Sequence, residues 1–123
     1  MKKNILVIDD EKSIRILLKN YLQKDYEVTA KENGEEGMAW LQEGNIPDLI
    51  VVDIQMPRMD GYEFIKNIRA SGYFKDIPLI MLSGIESSSD KVKALKMGAN
   101  DYVIKPFNPE ELAVRIELHL ARS

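Results

Sequence analysis

Short apolar runs recur along the chain at residues 5–8, 49–52, 79–82 and 102–104. Each is rich in Ile, Val or Leu, and none alternates with polar residues. Both faces of such a run need cover, which is the pattern of strands inside a parallel sheet. Residues 26–30 (YEVTA) differ: Tyr26, Val28 and Ala30 alternate with Glu27 and Thr29, as in a more exposed edge strand. Between these runs the spacing becomes helical. Ile14, Leu17, Leu18, Tyr21 and Leu22 recur at i, i+3, i+4, i+7 and i+8. A second helix is predicted over 34–42 with Met38 and Leu41, and a third after MDG with Phe64, Ile65 and Ile68, ending near Gly72. A fourth covers 88–97 and stops at Gly98. The last begins at NPEEL, where Asn108 suits the N-cap and Pro109 the first helical position; its inner stripe is Leu112, Ile116 and Leu120.

Strand and helix thus alternate five times, which predicts a parallel sheet with helices on both faces. Sites in such sheets form beyond the carboxyl ends of the strands, where the strand order reverses. If the first and third strands are central, their last residues meet there: Asp9, Asp10 and Asp53.

With 123 residues the chain reads as one domain, 1–123, containing no output domain, linker or repeat. The absence of cysteine excludes a disulfide framework and Cys-based zinc sites, and fits a reducing compartment. The opening MKKNILVIDD has only four apolar residues in a row before its acids, too few for a signal peptide, and no stretch approaches a membrane span. The expectation is a cytoplasmic protein without a membrane partner. Acidic residues (20) outnumber basic ones (17), and no basic run exceeds two, so direct nucleic-acid binding is not expected.

The carboxylates then acquire a meaning. Three of them converging on one crevice repel strongly at low dielectric. Either one takes up a proton or the cluster holds a cation. All the donors are oxygens, and hard Mg2+ suits such a site. Ser83 ends the fourth strand and Lys105 follows the fifth. A hydroxyl and an ammonium beside carboxylates make a set of phosphate contacts, and a carboxylate can itself be the nucleophile that forms an aspartyl phosphate.

At this point the chain resembles a family. Asp9 and Asp10, then Asp53 followed by Met56-Pro57 and Gly61, then Ser83 and Lys105-Pro106 resemble the receiver domain of two-component response regulators, of the chemotaxis-regulator type. Singly, each element has an ordinary structural explanation: a turn, a helix start, a surface charge. Five of them in order at matching strand ends are specific, and the likeness runs the length of the chain.

The resemblance implies a flavodoxin-like, doubly wound α/β fold with five strands in order 2-1-3-4-5 and five helices. It implies Asp53 as phosphoacceptor. Asp10, Asp53 and the backbone carbonyl of Gln55 would ligate Mg2+ directly, with Asp9 acting through a metal-bound water. Ser83 and Lys105 would contact phosphoryl oxygens, and Ser83 and Tyr102 would form the switch. A cis bond at Lys105–Pro106 is expected on the same ground. The partners implied are a sensor histidine kinase or a histidine phosphotransfer protein, and a downstream effector or output domain. The surface of the fourth helix, fifth strand and fifth helix would change on phosphorylation and could pair two copies. Val114 and Leu118, opposite the inner stripe of the last helix, fit such a contact. Gln55 and Ile85 take the positions that set the lifetime of the phosphorylated state, and apolar Ile85 predicts a long one.

The expected role is a signalling phosphoacceptor, not an enzyme, with self-phosphorylation and slow self-dephosphorylation as its only activities. The alternative is a Mg-dependent phosphatase with an Asp nucleophile acting on a small-molecule ester. Such enzymes want a second acid two residues after the nucleophile, where this chain has Gln55. A nucleotide-binding module would need a Gly/Ser-rich loop after the first strand, and DDEKSI is not one. His119 and Trp40 read as structural.

Overall fold

The computed structural model describes residues 2–122. Five strands, β1 (Lys3–Ile8), β2 (Tyr26–Lys31), β3 (Leu49–Asp53), β4 (Leu79–Ser83) and β5 (Asp101–Ile104), alternate with five helices. These are α1 (Lys12–Leu22), α2 (Gly34–Gln42), α3 (Gly61–Ala70), α4 (Ser88–Lys96) and α5 (Pro109–Ala121). All strand pairs are parallel, in the order β2-β1-β3-β4-β5. This is the expected flavodoxin-like topology.

Strand parity divides the core in two. Leu6, Ile8, Ile50, Val52, Leu79 and Met81 face α2, α3 and α4, meeting Leu41, Phe64, Ile65, Ile68 and Ala94. Ile5, Val7, Leu49, Val51, Ile80 and Leu82 face α1 and α5, meeting Leu18, Leu22, Leu112, Ile116 and Leu120. Burial on both faces is why the central strands carry unbroken apolar runs. Each fully buried Leu or Ile contributes about 1.5–3 kcal/mol. β2 lies at one edge and is half-exposed along most of its length, as its alternating sequence predicts.

Helix starts are fixed by short polar side chains. Asn33, Asp60, Ser87 and Asn108 each accept a backbone N–H of the first turn, from Glu36, Glu63, Asp90 and Glu110. Asn108 and Pro109 thus take the positions their sequence indicates. Only part of the α1 stripe enters the core. Leu18 and Leu22 are buried, while Leu17 and Tyr21 are exposed. Consecutive helical residues are rotated by about 100°, so positions 17 and 21 lie at the rim of a face centred on 18 and 22. Val114 and Leu118 are exposed as the α5 pattern predicts. Among the described residues, no helix is long and apolar enough to cross a membrane.

Candidate functional site

The strand order reverses between β1 and β3, and the polar strand ends collect there. Ile8 pairs with Val52, which sets Asp9 and Asp53 side by side. Ser83 pairs with Ile104, which brings Lys105 to the end of β4. A cleft of about 380 Å³ opens above them, lined by Asp10, Glu11, Ile14, Asp53, Gln55, Gly84, Lys105 and Pro106.

The loop after β3 is shaped around Asp53. Gly61 donates its N–H to the Ile54 carbonyl at 2.9 Å. A Cβ at Gly61 would come within 2.6 Å of the Asp53 carbonyl oxygen and 2.7 Å of the Ile54 Cα. Only glycine lets α3 start this close to the strand end. Arg58, in the same loop, has φ 68°, a left-handed conformation uncommon outside glycine. The Lys105–Pro106 bond is cis.

Asp9 is fully buried and Asp53 is 3% exposed, whereas Asp10 is exposed. Carboxylate oxygens of all three lie within 4.8 Å of one another. Lys105 Nζ stands 2.9 Å from Asp9 Oδ2, 3.0 Å from Glu11 Oε1 and 3.4 Å from Asp53 Oδ2. Asp9 Oδ1 accepts the Glu11 N–H at 2.9 Å. Asp9 Oδ2 has no hydrogen-bond donor among the described residues, because the close ammonium meets it outside hydrogen-bonding geometry.

Burial pushes the Asp53 carboxyl up to about 7; the Asp9 charge adds to this and Lys105 opposes it. Burial also raises Asp9, against its contacts with Lys105 and the Glu11 amide. Desolvation works against the Lys105 ammonium, but Asp9, Glu11 and Asp53 outweigh it and hold its pKa above the usual value. One cation among several acids leaves an excess of negative charge. Oxygen-only donors and their mutual spacing fit a hard divalent cation.

Ser83 is fully buried, and its Oγ accepts the Ile85 N–H at 2.9 Å. Tyr102 is buried, and its hydroxyl donates to the Ile85 carbonyl at 2.9 Å. Gln55 is exposed and lines the cleft. The structure therefore brings Asp10, Asp53, Gln55 and Lys105 into one cleft, with buried Asp9 against Lys105, while Ser83 and Tyr102 meet at the backbone of Ile85. His119 Nε2 lies 3.0 Å from Asp101 Oδ2, away from the cleft, which agrees with a structural role. Trp40 packs against the core.

Sequence reasoning missed two participants. Glu11 is a third acid on Lys105, and Arg15 Nη1 donates to the Asp9 carbonyl at 2.8 Å. Glu11 occupies the N-cap of α1 and Arg15 stands one turn later. Their only signal was proximity to Asp9 and Asp10.

Comparison with known proteins gives consistent relatives. The probable transcriptional regulator ycf27 of Cyanophora paradoxa is 43% identical over 123 residues, covering 99% of this chain and 50% of its own length. The alkaline phosphatase synthesis transcriptional regulatory protein PhoP of Bacillus subtilis is 41% identical over 124 residues, covering 100% of this chain and again 50% of its own. The chain thus spans about half the length of the curated relatives it matches. The chemotaxis response regulator CheY4 of Vibrio cholerae superposes with a TM-score of 0.90 at 34% identity, over 96% of this chain and 98% of that one. The family model for the response regulator receiver domain matches residues 5–117, from β1 well into α5. Fold, strand-end residues and family match agree, and the chain belongs to the response regulator receiver domain family.

Proposed function

We propose that the domain takes a phosphoryl group onto Asp53 from a phosphohistidine carried by a sensor histidine kinase or a histidine phosphotransfer protein. The observation that carries this reading is the seat of Asp53: the tip of a central strand, almost buried at the cleft, with Lys105 3.4 Å away. A carboxylate held there is a positioned nucleophile. An Asp53 oxygen attacks phosphorus in line and forms an O–P bond. The N–P bond of the phosphohistidine breaks, and its electron pair leaves with the imidazole, which takes a proton.

Lys105 supplies a fixed positive charge to phosphoryl oxygens, and its contacts with Asp9 and Glu11 hold it in place. The Ser83 hydroxyl is a second donor for the same group. Asp9, Asp10, Asp53 and the Gln55 carbonyl would hold Mg2+. When bound, the ion supplies positive charge that offsets the charge of the phosphoryl group.

The switch is assigned to Ser83 and Tyr102, which both bind the backbone of Ile85. A change at Ser83 reaches that loop directly. It then alters the face formed by α4, β5 and α5, where Val92, Leu95, Val114 and Leu118 are exposed. Two states of similar energy exist, and phosphorylation shifts their populations; going from 1:99 to 99:1 takes about 5.5 kcal/mol. The same face is the candidate surface for a homodimer or an output domain. The two curated relatives carry transcriptional-regulator names. We assign this chain an output of that kind, delivered through a downstream effector and not by its own contact with nucleic acid. It works in the cytoplasm as a signalling module whose only chemistry is self-phosphorylation and slow self-dephosphorylation.

The test is incubation with acetyl phosphate, with and without Mg2+, followed by intact mass. The expected result is one phosphoryl group, dependent on Mg2+ and absent in Asp53→Ala. Rapid turnover of a small phosphate ester would instead support the phosphatase reading.

A further inference from the structure

α4 is weakly anchored by apolar packing. Among the described residues it gives Ala94 alone to the buried core, while Val92 and Leu95 are 45% and 43% exposed. Polar contacts complete its anchoring, and Arg69 of α3 donates to the Gly98 carbonyl just past its C-terminal end at 2.9 and 3.0 Å. The side chain that reaches α4 from the site is Tyr62. This residue follows Gly61, whose close fit against Asp53 and Ile54 ties the first turn of α3 to the tip of β3.

From that anchor the Tyr62 ring lies beneath Lys93, with Nζ 4.1 Å from the ring centroid. The Tyr62 hydroxyl stands 3.4 Å from Asp90 Oδ1 and 3.5 Å from the Asp90 carbonyl oxygen. Asp90 and Lys93 are three residues apart and so share one side of α4. Contact with both restrains the rotation of the helix as well as its distance. The hydroxyl contacts are long and weak, so the ring–ammonium attraction is the main one. Burial, reinforced by the Asp90 charge, pushes the Tyr62 hydroxyl up to about 12.

The other end of Tyr62 belongs to the site. It walls a groove of about 480 Å³ together with Asp10, Gln55 and Ile85. Ile85 sits in the short loop between Ser83 and Ser87, the N-cap of α4. That loop is held from one side by Ser83 and Tyr102, and α4 is held from the other side by Tyr62.

We infer that Tyr62 is a strut that sets the position of α4 against the Asp53 end of β3, so that occupancy of the site and placement of α4 are coupled through this side chain. The coupling half rests on the function proposed above; the strut itself does not. Tyr62 is a positioning residue and touches no reacting atom.

The test is hydrogen–deuterium exchange of residues 91–96 in wild type, Tyr62→Leu and Lys93→Met, without ligand and with beryllofluoride plus Mg2+ as the phosphoryl analogue. Without ligand, both substitutions should speed exchange in α4 by about fivefold or more and leave α1 and α5 unchanged. Beryllofluoride should slow α4 exchange in wild type. The variants should bind it about threefold or more weakly and transmit less of that slowing. Lys93→Met alters only an exposed ammonium, so it carries the test if Tyr62→Leu fails to fold. Exchange in α4 unchanged within about twofold, or speeding spread evenly over the domain, would overturn the strut. Wild type that does not bind beryllofluoride overturns the phosphoacceptor reading and with it the coupling, while the ligand-free exchange still decides the strut.

Discussion

Lys105 Nζ lies 3.4 Å from Asp53 Oδ2, yet the lysine is not the partner of Asp53 alone. It is nearer to Asp9 Oδ2, at 2.9 Å, and to Glu11 Oε1, at 3.0 Å. One ammonium therefore offsets acids from β1, β3 and the start of α1. The side chains of Asp9 and Asp53 are 0% and 4% exposed, so water does little of this work. Lys105→Met keeps most of the stem and removes the charge. In EDTA it should lower the unfolding free energy by about 1–3 kcal/mol, because the buried acids lose their ammonium and proton uptake at Asp53 relieves only part of that loss. It should also tighten Mg2+ binding, because a cation becomes the sole offset. Denaturant titrations with and without Mg2+ read both effects. Unchanged stability in EDTA would contradict the account.

Gly61 fixes where Asp53 sits. In Gly61→Ala the new Cβ would lie 2.6 Å from the Asp53 carbonyl oxygen and 2.7 Å from the Ile54 Cα. Both neighbours are backbone and cannot turn aside as a flexible side chain would. The substitution should cost about 2–3 kcal/mol and slow phosphorylation by acetyl phosphate, since the strand end has to move. Chemical denaturation and a mass-based time course check the two parts.

Asp101 gives the pH dependence of the β5–α5 junction. Burial raises its carboxyl, but hydrogen bonds from His119, the Tyr102 amide and Arg115 outweigh burial and hold it below the ordinary value of 3.8. A folded-state value below the unfolded one stabilises the protein above the unfolded value. That contribution fades as pH falls through the folded-state value. The Arg115 side chain is 39% exposed, so solvent screening limits the gain to about 1 kcal/mol. Wild type should exceed Asp101→Asn in stability near neutral pH, and the gap should close as pH falls through the lowered folded-state value. Thermal melts across that range provide the check; a gap that widens in acid would contradict it.

On the proposed function, Ile85 bears on how long the phosphorylated state lasts. Its N–H is bound to Ser83 Oγ and its carbonyl to the Tyr102 hydroxyl, and its side chain is apolar. Nothing on it can orient an attacking water. Phospho-Asp53 should persist for minutes or longer, and Ile85→Asn, which adds an amide, should shorten its life. Decay of the phosphoryl mass with time measures this, and a half-life of seconds in wild type would contradict it.

The fold was largely legible because parallel strands covered on both faces leave unbroken Ile, Val and Leu runs, and turn-forming residues separate them. The acids were legible because they stand at strand ends, where the βα order brings neighbours together. What could not be read was which residues at the rim of a helix face enter the core. The stripe of α1 includes Leu17 and Tyr21, yet both stay exposed at its rim. Glu11 and Arg15 join the site through local geometry at the start of α1, which no spacing announces. The ties of Asp101 to Arg115 and His119 likewise depend on where α5 rests on β5, a tertiary placement with no local signature.

The most direct measurement of the central claim locates the acceptor. Protein treated with acetyl phosphate and Mg2+ is reduced with borohydride, which converts an acyl phosphate into homoserine, and its peptides are mapped by mass. The account predicts homoserine at position 53 and at neither Asp9 nor Asp10. Homoserine at another carboxylate, or a phosphoryl group retained in Asp53→Ala, would contradict it.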